Sequence, residues 1–158
     1  MTIHPLMTTM RRARGFTLIE LLVTMVIVAI LAAIAVASYK QQVMDSRRTD
    51  ARTAVLDLAG REERNFATSN TYSTTPAQLG YTGAAFPVTV GSGYYQINVA
   101  VVPGSVVAGV GVPASYTITA TPVAGTSQAS DTQCTSFTLT STGVQGATGT
   151  NAANCWTQ

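Results

Sequence analysis

Hydrophobic and polar positions divide this chain into three stretches. Residues 16–37 are apolar on every side, broken only by Thr17, Glu20 and Thr24. At 1.5 Å per residue, these 22 residues form a helix of roughly 33 Å, about the hydrocarbon thickness of a bilayer. The helical pattern continues without proline to about Thr68, with Gly60 as its only glycine. In this second half the apolar residues keep to one face: Met44, Ala51, Val55, Leu58 and Phe66 recur at about 100° per residue. Glu62 falls on the same face and interrupts it. Asp57 and Arg61 stand at i,i+4 in the favourable order.

Alternation replaces the helical period further on. Residues 68–93 read as a loop region of turn formers, including Ser69-Asn70, Thr75-Pro76, Gly80, Gly83 and Gly91-Ser92-Gly93. Tyr95, Ile97, Val99 and Val101 then share one face of a first strand. Tyr116, Ile118 and Ala120 do so in a second, and Phe137 and Leu139 in a third. Pro103–Pro113 reads as a Gly/Val-rich connection. The expected fold is α+β: a long N-terminal helix, its apolar half protruding and its amphipathic half packed on an antiparallel β-meander.

The residues 14–20, Arg-Gly-Phe-Thr-Leu-Ile-Glu, carry the most specific signal. Arg11, Arg12 and Arg14 crowd the front of the apolar run, and Glu20 sits inside it. A carboxylate in a membrane helix costs several kcal/mol and is usually kept for function. The unbroken Gly15-Phe16-Thr17-Leu18-Ile19-Glu20 resembles the class III signal of type IV pilins and related pseudopilins. The resemblance implies cleavage by a prepilin peptidase between Gly15 and Phe16, N-methylation of Phe16, and an assembly role for Glu20. That role is pairing with the N-terminal amine of a neighbouring subunit; the plainer alternative is that Glu20 complements the helix dipole. Starts at Met1, Met7 or Met10 all give the same mature product. Cleavage beyond the run, at the small residues around Ala29–Ala37, is a competing reading that the Gly-Phe junction and Glu20 oppose.

The expected organisation is a leader at 1–15, a transmembrane and filament-core helix at 16–37, its amphipathic continuation at 38–68, and a β head at 69–158. Positive charge flanks the span on both sides, with Lys40, Arg47 and Arg48 after it, so the charge rule leans only modestly to a cytoplasmic N-terminus. The resemblance implies a single-pass protein of the bacterial inner membrane with its head in the periplasm, and a surface pilus after assembly. Its partners would be other pilin subunits, in a homo- or hetero-polymer, the prepilin peptidase and the inner-membrane assembly machinery. Ala29, Ala32, Ala33, Ala35 and Ala37 offer small residues for close helix packing, though alanine also simply favours helix.

Cys134 and Cys155 are the only cysteines. In an oxidising compartment two cysteines most often pair; two free thiols or half a metal site are the alternatives. A metal lacks ligands, because the only histidine, His4, lies in the leader. A disulfide-closed C-terminal loop is therefore expected, with no metal and no cofactor. Tyr72-Ser73, Leu79-Gly80-Tyr81, the Tyr116–Pro122 run, Ser130-Asp131-Thr132 and the final Cys155-Trp156 are similar to PilE-type minor pilins.

The formal charge of +2 falls to about −1 once the leader is removed, and after Arg64 the only charged residue is Asp131. That placement weighs on function. A ComP-like role in DNA uptake is one alternative, yet DNA affinity rests largely on Lys and Arg at phosphates. Arg47, Arg48, Arg52, Arg61 and Arg64 alternate with acids along the helix, which favours a solvated helix face over a DNA surface. Tyr81, Tyr94 and Trp156 are candidates for stacking on bases. A pseudopilin of type II secretion shares the N-terminal signal, and the C-terminal resemblance favours a pilus protein over it. Enzyme activity is the weakest class: the mature chain has no histidine for a triad, and its head has a lone carboxylate. The reading is a minor pilin subunit.

Overall fold

The computed structural model describes residues 15–107 and 109–157. The chain divides into two units, one ending at Tyr39 and the other running from Lys40. A single helix, α1, covers Leu18–Ser69, 52 residues. In the first unit its apolar side chains, from Leu18 to Val36, are exposed. In the second unit Arg48, Ala51, Val55, Leu58 and Glu62 are buried. Their spacing of three and four residues is the period of one helix face. Met44 and Phe66, at the ends of the predicted stripe, are half-buried. Helix α1 stops without proline: Asn70 takes a left-handed φ of 56° and gives its N–H to the Phe66 carbonyl at 2.8 Å, a common helix ending.

Seven strands follow: β1 (Val88–Val90), β2 (Tyr95–Val102), β3 (Ser105–Val107), β4 (Val110–Val112), β5 (Ser115–Pro122), β6 (Ser136–Thr140) and β7 (Gln145–Thr148). Five form an antiparallel meander in the order β1-β2-β5-β6-β7, and β3 and β4 make a separate two-stranded sheet. The register sets Ile97 opposite Ala120, and Val99 opposite Ile118. It continues with Ala120 opposite Phe137 and Ile118 opposite Leu139. All six therefore share the buried face, joined by Tyr95 and Tyr116, and pack with Ala51, Val55 and Leu58 in one core. The architecture is the expected α+β one, with the three alternating runs as its central strands.

The sheet is wider than the three alternating runs suggest. Within the expected loop of 68–93 lie β1 and a 3-10 turn at Pro76–Leu79. The expected connection at Pro103–Pro113 contains the β3–β4 hairpin, and β7 adds a fifth strand to the meander. Each missed strand has only three or four residues, too few for alternation to separate from chance. Cys134 and Cys155 are bonded at S–S 2.02 Å with Cα atoms 5.8 Å apart. The bridge joins the approach to β6 with the turn after β7.

Candidate assembly and head surfaces

Arg11, Arg12 and Arg14 lie outside the described residues, so the site begins at Gly15. Gly15, Phe16 and Thr17 precede the helix, and Thr17 Oγ1 accepts the Glu20 N–H at 3.3 Å. Thr17 is thus the helix cap, and Thr-x-x-Glu has capping-box spacing. Thr24 gives its hydroxyl to the Leu21 carbonyl at 2.9 Å, which satisfies a polar group without water. The Glu20 carboxylate is exposed in the first turn and has no partner among the described residues. It is the single ionisable group of a segment otherwise suited to hydrocarbon or to packed helices.

The second unit is held by a buried polar network that the chain's spacing conceals. Arg48 forks onto Asp131, with Nε to Oδ2 and Nη2 to Oδ1 both at 2.7 Å. Its Nη1 meets Asp45 at 2.7 Å. Asp131 also accepts the N–H groups of Gln133 and Cys134 at 3.0 and 3.3 Å. The Gln128 amide donates to Asp131 at 3.1 Å and to the Tyr95 hydroxyl oxygen at 3.0 Å. Burial alone would raise the Asp131 carboxyl, but Arg48 and the two backbone N–H groups outweigh it and hold it below the ordinary carboxylate range. Hydrogen bonding to Asp131 raises Arg48 further. Burial pushes the Tyr95 phenol up to about 12, so it stays neutral.

This corrects the expectation of a solvated arginine face. Arg48 is 1% exposed. Arg47 donates to Ser127 Oγ at 2.7 Å and lies over the Tyr94 ring, 3.5 Å from its centroid. Arg52 donates to the Trp156 carbonyl at 3.3 Å. Arg61 bridges Asp57 at 2.8 Å and donates to the Leu79 carbonyl at 2.9 Å. These arginines tie the helix to the head, because the head beyond Arg64 holds one carboxylate and many carbonyls but no cation. Arg64 and Lys40 are exposed.

The candidate stacking aromatics are likewise engaged. Tyr81 donates to Asp57 at 2.7 Å, Tyr94 is covered by Arg47, and Trp156 gives its indole N–H to the Gly146 carbonyl at 2.7 Å. The Trp156 ring also meets Phe137 edge to face at 5.9 Å. No cluster of metal-ligating side chains occurs among the described residues.

A capped apolar helix bearing one carboxylate, continued by an amphipathic stretch under a disulfide-closed β meander, defines the class of type IV pilins. Comparison with known proteins narrows it. Residues 10–36 match the model of the prokaryotic N-terminal methylation motif. Residues 37–138 match the family described as "Type IV minor pilin ComP, DNA uptake sequence receptor". The chain belongs to this family of type IV minor pilins. It is also 34% identical over 70 residues to the type IV major pilin protein PilA of Myxococcus xanthus (strain DK1622), covering 44% of this chain and 32% of that protein. The chain thus spans about a third of the length of this relative. Pilins of this family assemble with other pilins into a pilus after processing by a prepilin peptidase. The apolar N-terminal part of α1 is long and apolar enough to cross a membrane.

Proposed function

We propose that the chain is cut between Gly15 and Phe16, methylated on Phe16, and held in the inner membrane by one span with its head in the periplasm. It then enters the filament through α1 as a structural subunit with no catalytic role. The observation that carries this reading is Glu20, a carboxylate without a partner among the described residues, one turn from the new N-terminus. Two opposite charges leaving water together offset part of each other's desolvation, so the amine of Phe16 on a neighbouring subunit suits it. Intact mass of the protein from sheared filaments tests the processing. A species beginning at methylated Phe16, two hydrogens light at Cys134 and Cys155, is expected. An uncut N-terminus, or cleavage beyond Ala37, would overturn it. A Glu20→Ala chain should be processed yet depleted from filaments; normal entry would remove the role of Glu20.

The family description supports a second reading, reception of DNA during uptake. Against it, Arg47, Arg48 and Arg61 are spent on contacts within the protein, which leaves little charge for phosphates. Binding of duplex DNA by the purified protein, weakening steeply with salt, would favour this second reading over a purely structural subunit.

A further inference from the structure

Glu62 stands on the face of α1 that packs against the sheet, between Leu58 and Phe66 at helical spacing. It is fully buried. Its Oε2 accepts the Ser73 N–H at 2.9 Å, while its Oε1 has no hydrogen-bond partner. Ser73 carries this grip further along the chain. Its hydroxyl donates to Gln78 Oε1 and accepts the Thr75 N–H at 3.0 Å. The same segment is fastened separately at both ends. Asn70 closes α1 through the Phe66 carbonyl, and Arg61 binds the Leu79 carbonyl at 2.9 Å. Glu62 therefore holds the segment by its middle.

Apart from the Ser73 N–H, the surroundings do little to offset a charge on this carboxyl. On α1, Glu63 adds a second negative charge, and Arg61 is committed to Asp57 at 2.8 Å. Arg64 forms no ion pair among the described residues. The loop and β5 contribute the Tyr72 and Tyr116 phenols, both raised by burial and so neutral. Asp131, the only charged residue beyond Arg64, is bound to Arg48, roughly 20 Å back along the helix. A buried carboxyl with one hydrogen bond and no counter-charge favours its neutral form. Burial accordingly pushes Glu62 above the ordinary carboxylate range.

We propose that Glu62 is a proton-gated latch on residues 71–78. When Oε1 takes a proton from solvent, Oε2 still accepts from Ser73 and the segment stays closed on α1. When that proton is released, the uncompensated charge draws water in and the segment opens between its fixed ends. The sign follows from linkage. A carboxyl that holds its proton more tightly in the closed state favours closure in full below the open-state value, and loses that contribution as pH rises through the closed-state one. The consequence is a surface that responds to pH. Thr71 and Tyr72 wall one cleft beside Phe66 and Pro113, and Gln78 walls another beside Arg64. Opening of the segment dismantles both walls at the end of α1.

The test is amide hydrogen exchange of the full-length chain in detergent micelles, read residue by residue and corrected for the intrinsic rate. The opening equilibria at Ser73 and Gln78 should shrink severalfold from pH 7 to about pH 5. At both pH values they should exceed those of the β2–β5 ladder amides, the mark of a local opening. Glu62→Gln keeps an acceptor for Ser73 and should flatten the profile, whereas Glu63→Gln should leave it in place. Carboxyl carbon shifts of the wild type need no variant: Glu62 should titrate above the ordinary 4.5, and the Ser73 N–H shift should move at the same midpoint. A flat wild-type profile, a pH dependence that survives Glu62→Gln, loop amides that open only together with the ladder, or a Glu62 midpoint in the ordinary range would each overturn the proposal.

Discussion

Arg48 on the helix and Asp131 in the head, 83 residues apart, form a two-pronged ion pair with both distances at 2.7 Å. The two side chains are 1% and 2% exposed. Neither charge has water to fall back on, so removing Arg48 leaves the buried Asp131 carboxylate without its counter-charge. Arg48→Met should cost about 3–5 kcal/mol, whereas Arg48→Met with Asp131→Leu should recover much of that loss. Denaturant midpoints of the purified protein in detergent read both. A double variant as unstable as the single would mean that Asp131 is held mainly by Gln128 and the backbone.

That pair marks the boundary of what the chain discloses before folding. The central strands are legible because each has one buried face, so Tyr95, Ile97 and Val99 recur with period two. The helix face is legible through Ala51, Val55 and Leu58 for the same reason. Arg48 is not, because it lies on the buried face as a residue type that is rarely buried, and its partner is remote in sequence. Glu62 looks like a flaw in the stripe until the loop after α1 brings the Ser73 N–H to its Oε2 at 2.9 Å. The motif at Gly15–Glu20 is legible because it depends on local order alone.

The bond between Cys134 and Cys155 closes a loop of sequence separation 21, and in the chain-entropy model such a closure contributes about 3 kcal/mol. Cys134→Ser with Cys155→Ser should lower unfolding stability by that amount. The denaturant midpoint should move while the ladder-forming residues of β2 and β5 keep slow amide exchange. Unchanged stability would show that the Asp131 network alone fixes the C-terminal turn.

Gly149 stands where the chain turns back toward that bond. Its φ is 128°, and a Cβ there would lie 2.2 Å from the Gln133 carbonyl oxygen. Both the backbone conformation and the space exclude a side chain, and the obstacle is backbone that cannot swing aside. Gly149→Ala should therefore destabilise by about 2–4 kcal/mol, more than expected for a surface turn. Gly143→Ala is the contrast: its φ of 80° is also left-handed, but nothing lies within 4 Å of the added atom. Its loss should be about 1 kcal/mol. Equal losses at the two sites would mean that conformation, not the approach to Gln133, governs both.

Glu62 gives the protein a pH dependence of opposite sign to that of Asp131. It is 0% exposed, its Oε1 has no hydrogen-bond partner, and Glu63 adds a neighbouring negative charge. Burial pushes its carboxyl above the ordinary 4.5, opposed by the Ser73 N–H. A carboxyl raised on folding binds its proton more tightly in the native state. Its contribution is full below the unfolded value and is lost as pH rises through the folded one. Asp131, held below 3.8, contributes above its unfolded value and loses that contribution only as pH falls through the folded one. Between these ranges the wild type should gain stability on acidification from pH 7 to about pH 5. Glu62→Gln should abolish that gain, while retaining a carbonyl oxygen to accept from Ser73. Denaturant midpoints across this range read the difference. A Glu62→Gln chain with the wild-type slope would place the titration on another group.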